Sequence, residues 1–536
     1  MNRWDDTWPA IRLESHFGDR VVRCFAERPA SLHALLANAA ARHPSGTALV
    51  RGEERMTWQE LLGLSTRLAA GLAQRGIVAG DRVALLIGNR TEFVTTLFAA
   101  AHLGAIAVPL STREQTPGLA YMLNHCGAAA LVHEADLKDR LPRVAEVPAL
   151  RLRISVGAAE GSEAFAAMLS DAAAPAPAAV QEEDVAAIMY TSGTTGNPKG
   201  AALTHLGIAH SVMHYQIAMG LGPGDSSIAA VPLSHVTGLV ALVATMVHSA
   251  AKLVIMPDFK AADFLRLAAR ERMTHTLMVP AMYNLCLLQS DFETHDLSAW
   301  RVGAYGGAPM PVATISSLAR TIPGLTLMNC YGSTETTSPA TLMPQGETAA
   351  RSDTVGRNLA CAEMAVFDDD GHELPYGQLG EIWIKGPMVV KDYWGNPAAT
   401  AANFTGGYWR SGDIGSVDRQ GYVKVVDRKK DMINRGGYKI YTIEVENALH
   451  GHPAVVECAV VAKPCPVLGE RVHAFVSLRA GSSVTAAALT AFCATRLSDY
   501  KVPESFSISD APLPRNANGK LVKRDLRDQV VAAAAR

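Results

Sequence analysis

The run Tyr190-Thr191-Ser192-Gly193-Thr194-Thr195-Gly196-Asn197-Pro198-Lys199-Gly200 gathers hydroxyls, glycines and one lysine in a single stretch. A loop of this kind can turn backbone N–H groups and hydroxyls together toward one anionic group. Gly193, Gly196 and Gly200 permit positive φ and close backbone approach, and Lys199 adds a mobile cation. The chemistry is that of polyphosphate binding. An ordinary polar turn is the competing reading. Position argues against it: the run follows the apolar stretch Val185–Met189 and precedes a helical pattern near Thr204, a good N-cap residue. It is not a Walker loop, which needs Gly-Lys-Ser/Thr, because Pro198 precedes the lysine. A P-loop ATPase or kinase is therefore disfavoured.

Other chemically capable residues cluster where apolar runs end. Asn329-Cys330-Tyr331-Gly332-Ser333-Thr334-Glu335 offers an aromatic face for a flat ring and a carboxylate for a hard cation. Tyr305-Gly306-Gly307-Ala308-Pro309 removes side chains where a flat ligand must lie against backbone. Ser411-Gly412-Asp413, Arg428 and Lys520, the last in Pro514-Arg515-Asn516-Ala517-Asn518-Gly519-Lys520, are charges that alone would read as solvated surface.

The elements that must position these residues are legible as an α/β pattern. Apolar runs at Val83–Ile87, Val185–Tyr190, Ile228–Val231, Leu253–Met256, Thr276–Val279, Val302–Tyr305 and Leu325–Met328 alternate with helical stretches such as Ala262–Arg270 and Val312–Arg320. Continuous apolar strands spaced by helices imply parallel sheets covered on both faces. Near residue 350 the pattern changes to strands and turns, at Met364–Phe367, Glu381–Lys385 and Tyr422–Val426, which fits a small barrel-like unit. After Lys430 follow a helix (Ile443–His450), strands (Val455–Ala462 and Arg471–Leu478), a helix (Ala486–Leu497) and a strand (Ser505–Ser509). The expectation is a large N-terminal domain of stacked α/β layers, 1–429, with the β-barrel-like subdomain, and a small α+β C-terminal domain, 430–536. Ala172–Val180, with Pro175 and Pro177, reads as a surface linker.

The 536 residues exceed one ordinary core. Net charge of -2 gives no hint of a nucleic-acid or anionic-membrane partner. The eight scattered cysteines form no Cys-x-x-Cys pair and read as small buried hydrophobes of a reduced, cytoplasmic protein. The N-terminus lacks the layout of a signal peptide. The most apolar stretch, Ile228 to Met256, is broken by Pro232, Ser234, His235 and Gly238 and reads as strand, loop and core helix, so no membrane span is expected.

On the loop Thr191–Gly200, and on the other motifs following it in order, the chain resembles the adenylate-forming superfamily of acyl- and aryl-CoA synthetases, luciferases and peptide-synthetase adenylation domains. The resemblance covers almost the whole chain. It implies an ATP-dependent acid:CoA ligase that forms an acyl-adenylate and then an acyl-CoA, with ATP, Mg²⁺ and coenzyme A. It implies that Thr191, Ser192, Gly193, Thr194, Thr195, Gly196 and Lys199 hold phosphates, with Gly307, Ala308, Pro309, Tyr331 and Gly332 around adenine. Thr334 would bond the α-phosphate, Glu335 and Thr195 would serve the metal, and Asp413 and Arg428 the ribose. Lys520, from a mobile C-terminal domain, would bridge the substrate carboxylate and α-phosphate, Lys430 would be the hinge, and Gly436, Gly437 and Tyr438 would line the coenzyme A path. His235, Val236, Leu239, Tyr305, Gly306 and Gly332, with Met282, Tyr283 and Ser338, are acyl-pocket candidates. His235 stands where amino-acid adenylation domains hold an aspartate, which favours an uncharged acyl or aryl acid. Asn434, Thr442 and Ser234 depart from the common pattern: luciferases and several aryl ligases carry lysine at the first position, many acyl-CoA synthetases carry proline at the second, and a bulky residue is common at the third. The rival readings are an enzyme loading a carrier protein and a non-catalytic ligand-binding member of the fold. A homodimer is compatible with the resemblance.

Overall fold

The computed structural model describes residues 8–191, 197–479, 481–515 and 521–534. The chain divides into two compact units. One comprises residues 1–364, 384–410 and 420–423; the other comprises 365–383, 411–419 and 424–536.

The first unit is built on two sheets. A seven-stranded sheet runs in the order Lys199–Thr204, Val185–Thr191, Ile106–Pro109, Arg82–Leu86, Ala128–Glu134, Leu152–Val156, Glu163–Ala164. All neighbours are parallel except the first pair, a hairpin whose ends are Thr191 and Lys199. A nine-stranded sheet has a parallel centre from Thr326–Tyr331 through Val302–Gly306, His275–Met278, Ser226–Ala229 and Lys252–Ile255 to Thr47–Arg51, with antiparallel strands at both edges. The apolar runs are thus strands buried on both faces, as their lack of alternation requires. Lys199–Thr204 was not foreseen as a strand. Its sequence KGAALT carries little β propensity, and pairing with Val185–Thr191 decides its conformation.

Helices are set by local chemistry. Thr57 and Glu60 form a capping box ahead of Trp58–Gln74. The Thr204 side chain accepts from the Gly207 N–H at 3.1 Å and starts His205–Met219, which ends at Gly220 with φ 59°. Ala261–Arg270 buries Phe264, Leu265 and Ala268 on one face. They join Tyr283, Trp300 and Tyr305 in the core beside the nine-stranded sheet. The apolar stretch after Ile228 folds as a strand, a loop, a π-helix Thr237–Ala244 and a short α-helix, nearly all buried. Among the described residues no helix is long and apolar enough to cross a membrane. All eight cysteines are free and buried.

In the second unit, Tyr438–Ile440, Ile433–Arg435, Gly469–Leu478 and Val455–Cys465 form an antiparallel sheet, joined by Ser505–Ser509 parallel to Gly469–Leu478. Helices Thr442–His450 and Ala486–Ala494 supply Val445, Leu449, Leu489 and Cys493 to its core.

Candidate active site

Parallel strands end on one edge of a sheet, and the loops there form the usual ligand crevice of an α/β fold. In the nine-stranded sheet three candidate segments leave from that edge. Gly306–Pro309 follows Val302–Gly306, Tyr331–Glu335 follows the adjacent Thr326–Tyr331, and Pro232–Leu239 follows Ser226–Ala229. Gly306 pairs with Cys330, and a Cβ at Gly306 would lie 2.4 Å from the Cys330 carbonyl oxygen, so close strand approach alone demands glycine there. Gly307 needs glycine for its φ of 77°. Gly307, Ala308 and Pro309 are exposed.

The Glu335 turn is closely organised. Thr334–Thr336 is one 3-10 turn after Ser333, and the Ser333 N–H donates to Thr336 Oγ1 at 2.9 Å. Thr334 is half-buried, and the Glu335 side chain is 7 % exposed. The Ser333 hydroxyl donates to Oε2, and the Tyr393 hydroxyl donates to Oε1 at 2.9 Å. Among the described residues no cation pairs with this carboxylate. A buried anion held only by neutral hydroxyls, with hard oxygen donors, suits a divalent metal ion shared with phosphates. Thr337 and Ser338 follow with φ of 50° and 36°. Two successive non-glycine residues in the left-handed region store strain of the kind found beside ligand sites. The hydroxyls of Ser338 and Tyr215 share a buried hydrogen bond of 2.8 Å.

The phosphate-loop candidate enters the same unit from the seven-stranded sheet. Ser192, Gly193, Thr194, Thr195 and Gly196 lie outside the described residues, as does Lys520. The ends of the loop are fixed. Tyr190 donates to the Met122 carbonyl at 3.0 Å and bonds His125, and the Tyr121 hydroxyl reaches Pro198 O at 3.3 Å. Lys199 carries its ammonium 4.9 Å from the Tyr393 ring centroid. Tyr393 therefore touches both the exit of this loop and Glu335. Sequence reasoning missed it, because nothing in Lys391-Asp392-Tyr393-Trp394 marks one aromatic above another.

His235 is half-buried, and its Nδ1 lies 3.2 Å from Thr237 Oγ1 and 3.3 Å from the Thr237 N–H. Gly238, the second residue of the π-helix, lies so close to Pro232 that a Cβ would sit 2.2 Å from its carbonyl oxygen. Asn89, from the chain after Arg82–Leu86, clamps this loop and was also missed. Its Nδ2 donates to Val231 O at 3.0 Å and Met256 O at 2.9 Å, and its Oδ1 accepts from Leu233 N–H at 2.9 Å. Val236 and Leu239 are buried beside His235 in sequence, and Met282 is half-buried. Tyr283 instead stacks on Trp300 at 5.8 Å within the core and donates to Ala304 O, and Tyr305 lies in the same core.

The family model of the AMP-binding enzymes matches residues 36–394, and that of the AMP-binding enzyme C-terminal domain matches residues 444–520. The chain belongs to the AMP-binding enzyme family. A feruloyl-CoA synthase of Amycolatopsis is 35% identical over 485 residues, 90% of this chain and 96% of that protein. A long-chain-fatty-acid–CoA ligase of Mycobacterium tuberculosis is 34% identical over 482 residues, 89% and 94% of the two chains. The solved structure of an anthranilate CoA ligase in complex with anthranoyl-AMP superposes with a TM-score of 0.88 at 26% identity, covering 94% of this chain and 98% of that one.

In the second unit of this AMP-binding enzyme, Arg428 Nε meets Asp413 Oδ1 at 2.6 Å, so the two ribose candidates form an ion pair. The Ser411 hydroxyl bonds Ile382 O and accepts the Asp413 N–H. Lys430 is exposed; its carbonyl accepts from Arg527, which also pairs with Asp431 at 2.9 Å. Gly436 and Gly437, with φ of 57° and 92°, form the two-residue turn between Arg435 and Tyr438. Asn434 Oδ1 accepts from the Gly437 N–H at 3.2 Å, which gives that departure a turn-capping role. Tyr438 is 58 % exposed and stacks on Tyr500. Thr442 is fully buried. Its N–H and hydroxyl both donate to Asp427, and its hydroxyl accepts from Lys523 at 2.7 Å.

Proposed function

We propose that this AMP-binding enzyme is an ATP-dependent acid:CoA ligase acting on an acid whose tail carries no charge. The observation that carries the reading is the Glu335 turn: a buried carboxylate fixed by two hydroxyls, free of protein cations among the described residues, and tied through Tyr393 to Lys199 at the exit of the phosphate loop. The organisation suits phosphates that must be neutralised while a new bond forms at phosphorus.

A carboxylate resists nucleophiles, because its charge repels them and oxide is a very poor leaving group. In the first step a carboxylate oxygen attacks the α-phosphorus of ATP, the bond to the bridging oxygen breaks, and pyrophosphate leaves with the electron pair. The protein's contribution is alignment and charge stabilisation. Thr191 to Lys199 hold the β- and γ-phosphates, Tyr331 lies along adenine and Thr334 donates to the α-phosphate. Glu335 and Thr195 hold Mg²⁺, which when bound neutralises phosphate charge. Lys520 donates between the carboxylate and the α-phosphate. Asp413 accepts from the ribose hydroxyls, with Arg428 fixed beside it. In the second step the coenzyme A thiol loses its proton, sulfur attacks the acyl carbon, and AMP leaves. Free thiols have a pKa of about 8.5, so a few per cent is thiolate at neutral pH, and AMP is a good enough leaving group that no protein nucleophile is needed. Lys430 serves as the hinge between steps, at the boundary 429/430, and Gly436, Gly437 and Tyr438 line the thiol's approach. His235 with Val236 and Leu239, and no carboxylate at position 235, favours an acyl or aryl acid over an amino acid.

The test is pyrophosphate release over a panel of fatty, branched and aromatic acids, with and without coenzyme A. Acid-dependent pyrophosphate and AMP are expected, with thioester only when coenzyme A is present. ADP as product would refute adenylation, and acyl transfer to a carrier protein but not to free coenzyme A would refute the acceptor.

A further inference from the structure

Tyr393 joins two parts of the site, Lys199 and Glu335, that lie far apart in the sequence. Its backbone pairs with Ala201 in an antiparallel bridge; Asp392 O accepts from Ala202 N–H at 3.1 Å, and Trp394 N–H donates to Gly200 O at 2.7 Å. These bonds lash residues 392–394 to the strand leaving the phosphate loop. On the other side, Val390 N–H donates to Glu335 O at 2.9 Å, and the Tyr393 hydroxyl donates to Glu335 Oε1. The segment is itself anchored from an N-terminal hairpin, Ile11–His16 paired antiparallel with Arg20–Phe25. Arg20, 9 % exposed, donates to Val390 O at 2.9 Å and Lys391 O at 2.6 Å. The Tyr393 ring, 3 % exposed, meets Phe404 edge-on and offers its face to Lys199.

We propose that Tyr393 is a positioning residue for the metal-bound nucleotide. Its hydroxyl fixes the orientation of the Glu335 carboxylate, and its ring seats the Lys199 ammonium, so metal ligand and phosphate-binding cation keep a set spacing. A carboxylate with one oxygen on Tyr393 and the other on Ser333 cannot rotate without breaking a charge-assisted bond, and its remaining lone pairs stay aimed in fixed directions. The inference rests on the reading of Glu335 as the metal ligand.

The test measures Mn²⁺ binding to the enzyme in the presence of a non-hydrolysable ATP analogue, by water-proton relaxation. Loss of an outer-shell partner weakens metal affinity by about 10- to 100-fold, and Tyr393→Phe is expected to do so. Ser333→Ala, which removes the other hydroxyl from a partly exposed position, is expected to act in the same direction and covers the case in which the buried variant folds poorly. Because the Phe ring keeps the seat for Lys199, Tyr393→Phe should lower adenylation kcat at limiting Mg²⁺ with little change in the KM for ATP, whereas Tyr393→Leu should raise both requirements. Folded Tyr393→Phe and Ser333→Ala proteins that bind Mn²⁺ within twofold of the parent overturn the positioning role alone. Unchanged Mn²⁺ binding in Glu335→Gln overturns the ligand assignment and this inference together.

Discussion

Thr442→Pro should destabilise the second unit, although the position looks made for proline. Thr442 is the first residue of the helix Thr442–His450, after the N-cap Tyr441. At that position proline is ordinarily welcome, because its fixed φ suits the helix and the N–H has no helical partner. Such a change commonly stabilises by about 0.4–1 kcal/mol through the unfolded chain. Here the N–H does have a partner. It donates to Asp427, 1 % exposed, whose other oxygen takes the Thr442 hydroxyl at 3.0 Å. Hydrogen bonds to a charged group contribute about 1.5–3 kcal/mol each, so losing both costs about 3–6 kcal/mol. Asp427 keeps the Arg428 N–H at 2.7 Å. Subtracting the proline gain leaves a net loss of about 2–5.6 kcal/mol. The assay is native-state hydrogen exchange of peptides covering residues 443–450 and 523–532, because local opening is read there without requiring the whole chain to unfold in one step. Protection should fall about 30-fold or more, at about 1.4 kcal/mol per decade. Thr442→Val, which keeps the N–H, should show about half the loss. Equal or greater protection in Thr442→Pro would refute the argument, since the Asp427 bonds would then contribute nothing.

Three further outcomes follow from the same reasoning. Burial holds His205, His210 and His275 down to about 4, from an ordinary value of 6.5; the stability tied to their neutral forms is complete above pH 6.5 and is lost as pH falls to about 4. The melting temperature should therefore drop between pH 7 and pH 5, each histidine contributing a slope of up to about 1.4 kcal/mol per pH unit, and a flat profile would contradict it. Lys520→Ala should slow acid-dependent pyrophosphate release by about a hundred- to a thousandfold while leaving thioester formation from supplied acyl-adenylate far less affected; equal loss in both steps would count against its assigned role. Asn89→Ala should unpin the Val231–Leu233 loop, leaving the Leu233 N–H and two carbonyls unpaired at a cost of about 3 kcal/mol or more, at about 1–3 kcal/mol per group, read as a lower urea midpoint and a raised KM for the acid; unchanged values for both would rule out the clamp.

The layered architecture and the order of the motifs are legible in the linear chain. Continuous apolar runs such as Val302–Tyr305 read as strands covered on both faces, and these strands lie within two residues of the expected bounds except Thr326–Tyr331, which extends three residues beyond Met328 because pairing with Val302–Gly306 and Thr341–Leu342 prolongs it. The loop residues were legible because glycine, threonine and lysine at that spacing carry chemistry in their types. The support behind those residues comes from the fold. Tyr393 and Asn89 act through the geometry of a single hydroxyl or amide, and no local pattern separates them from other polar residues. Thr442, legible only as a departure, acquired its meaning from Asp427 and Lys523, fifteen and eighty-one residues away. Lys199–Thr204 became a strand through its partner rather than its composition. Local types announce what chemistry a chain can do. Which side chains hold that chemistry still depends on contacts between distant segments, which the linear pattern does not encode.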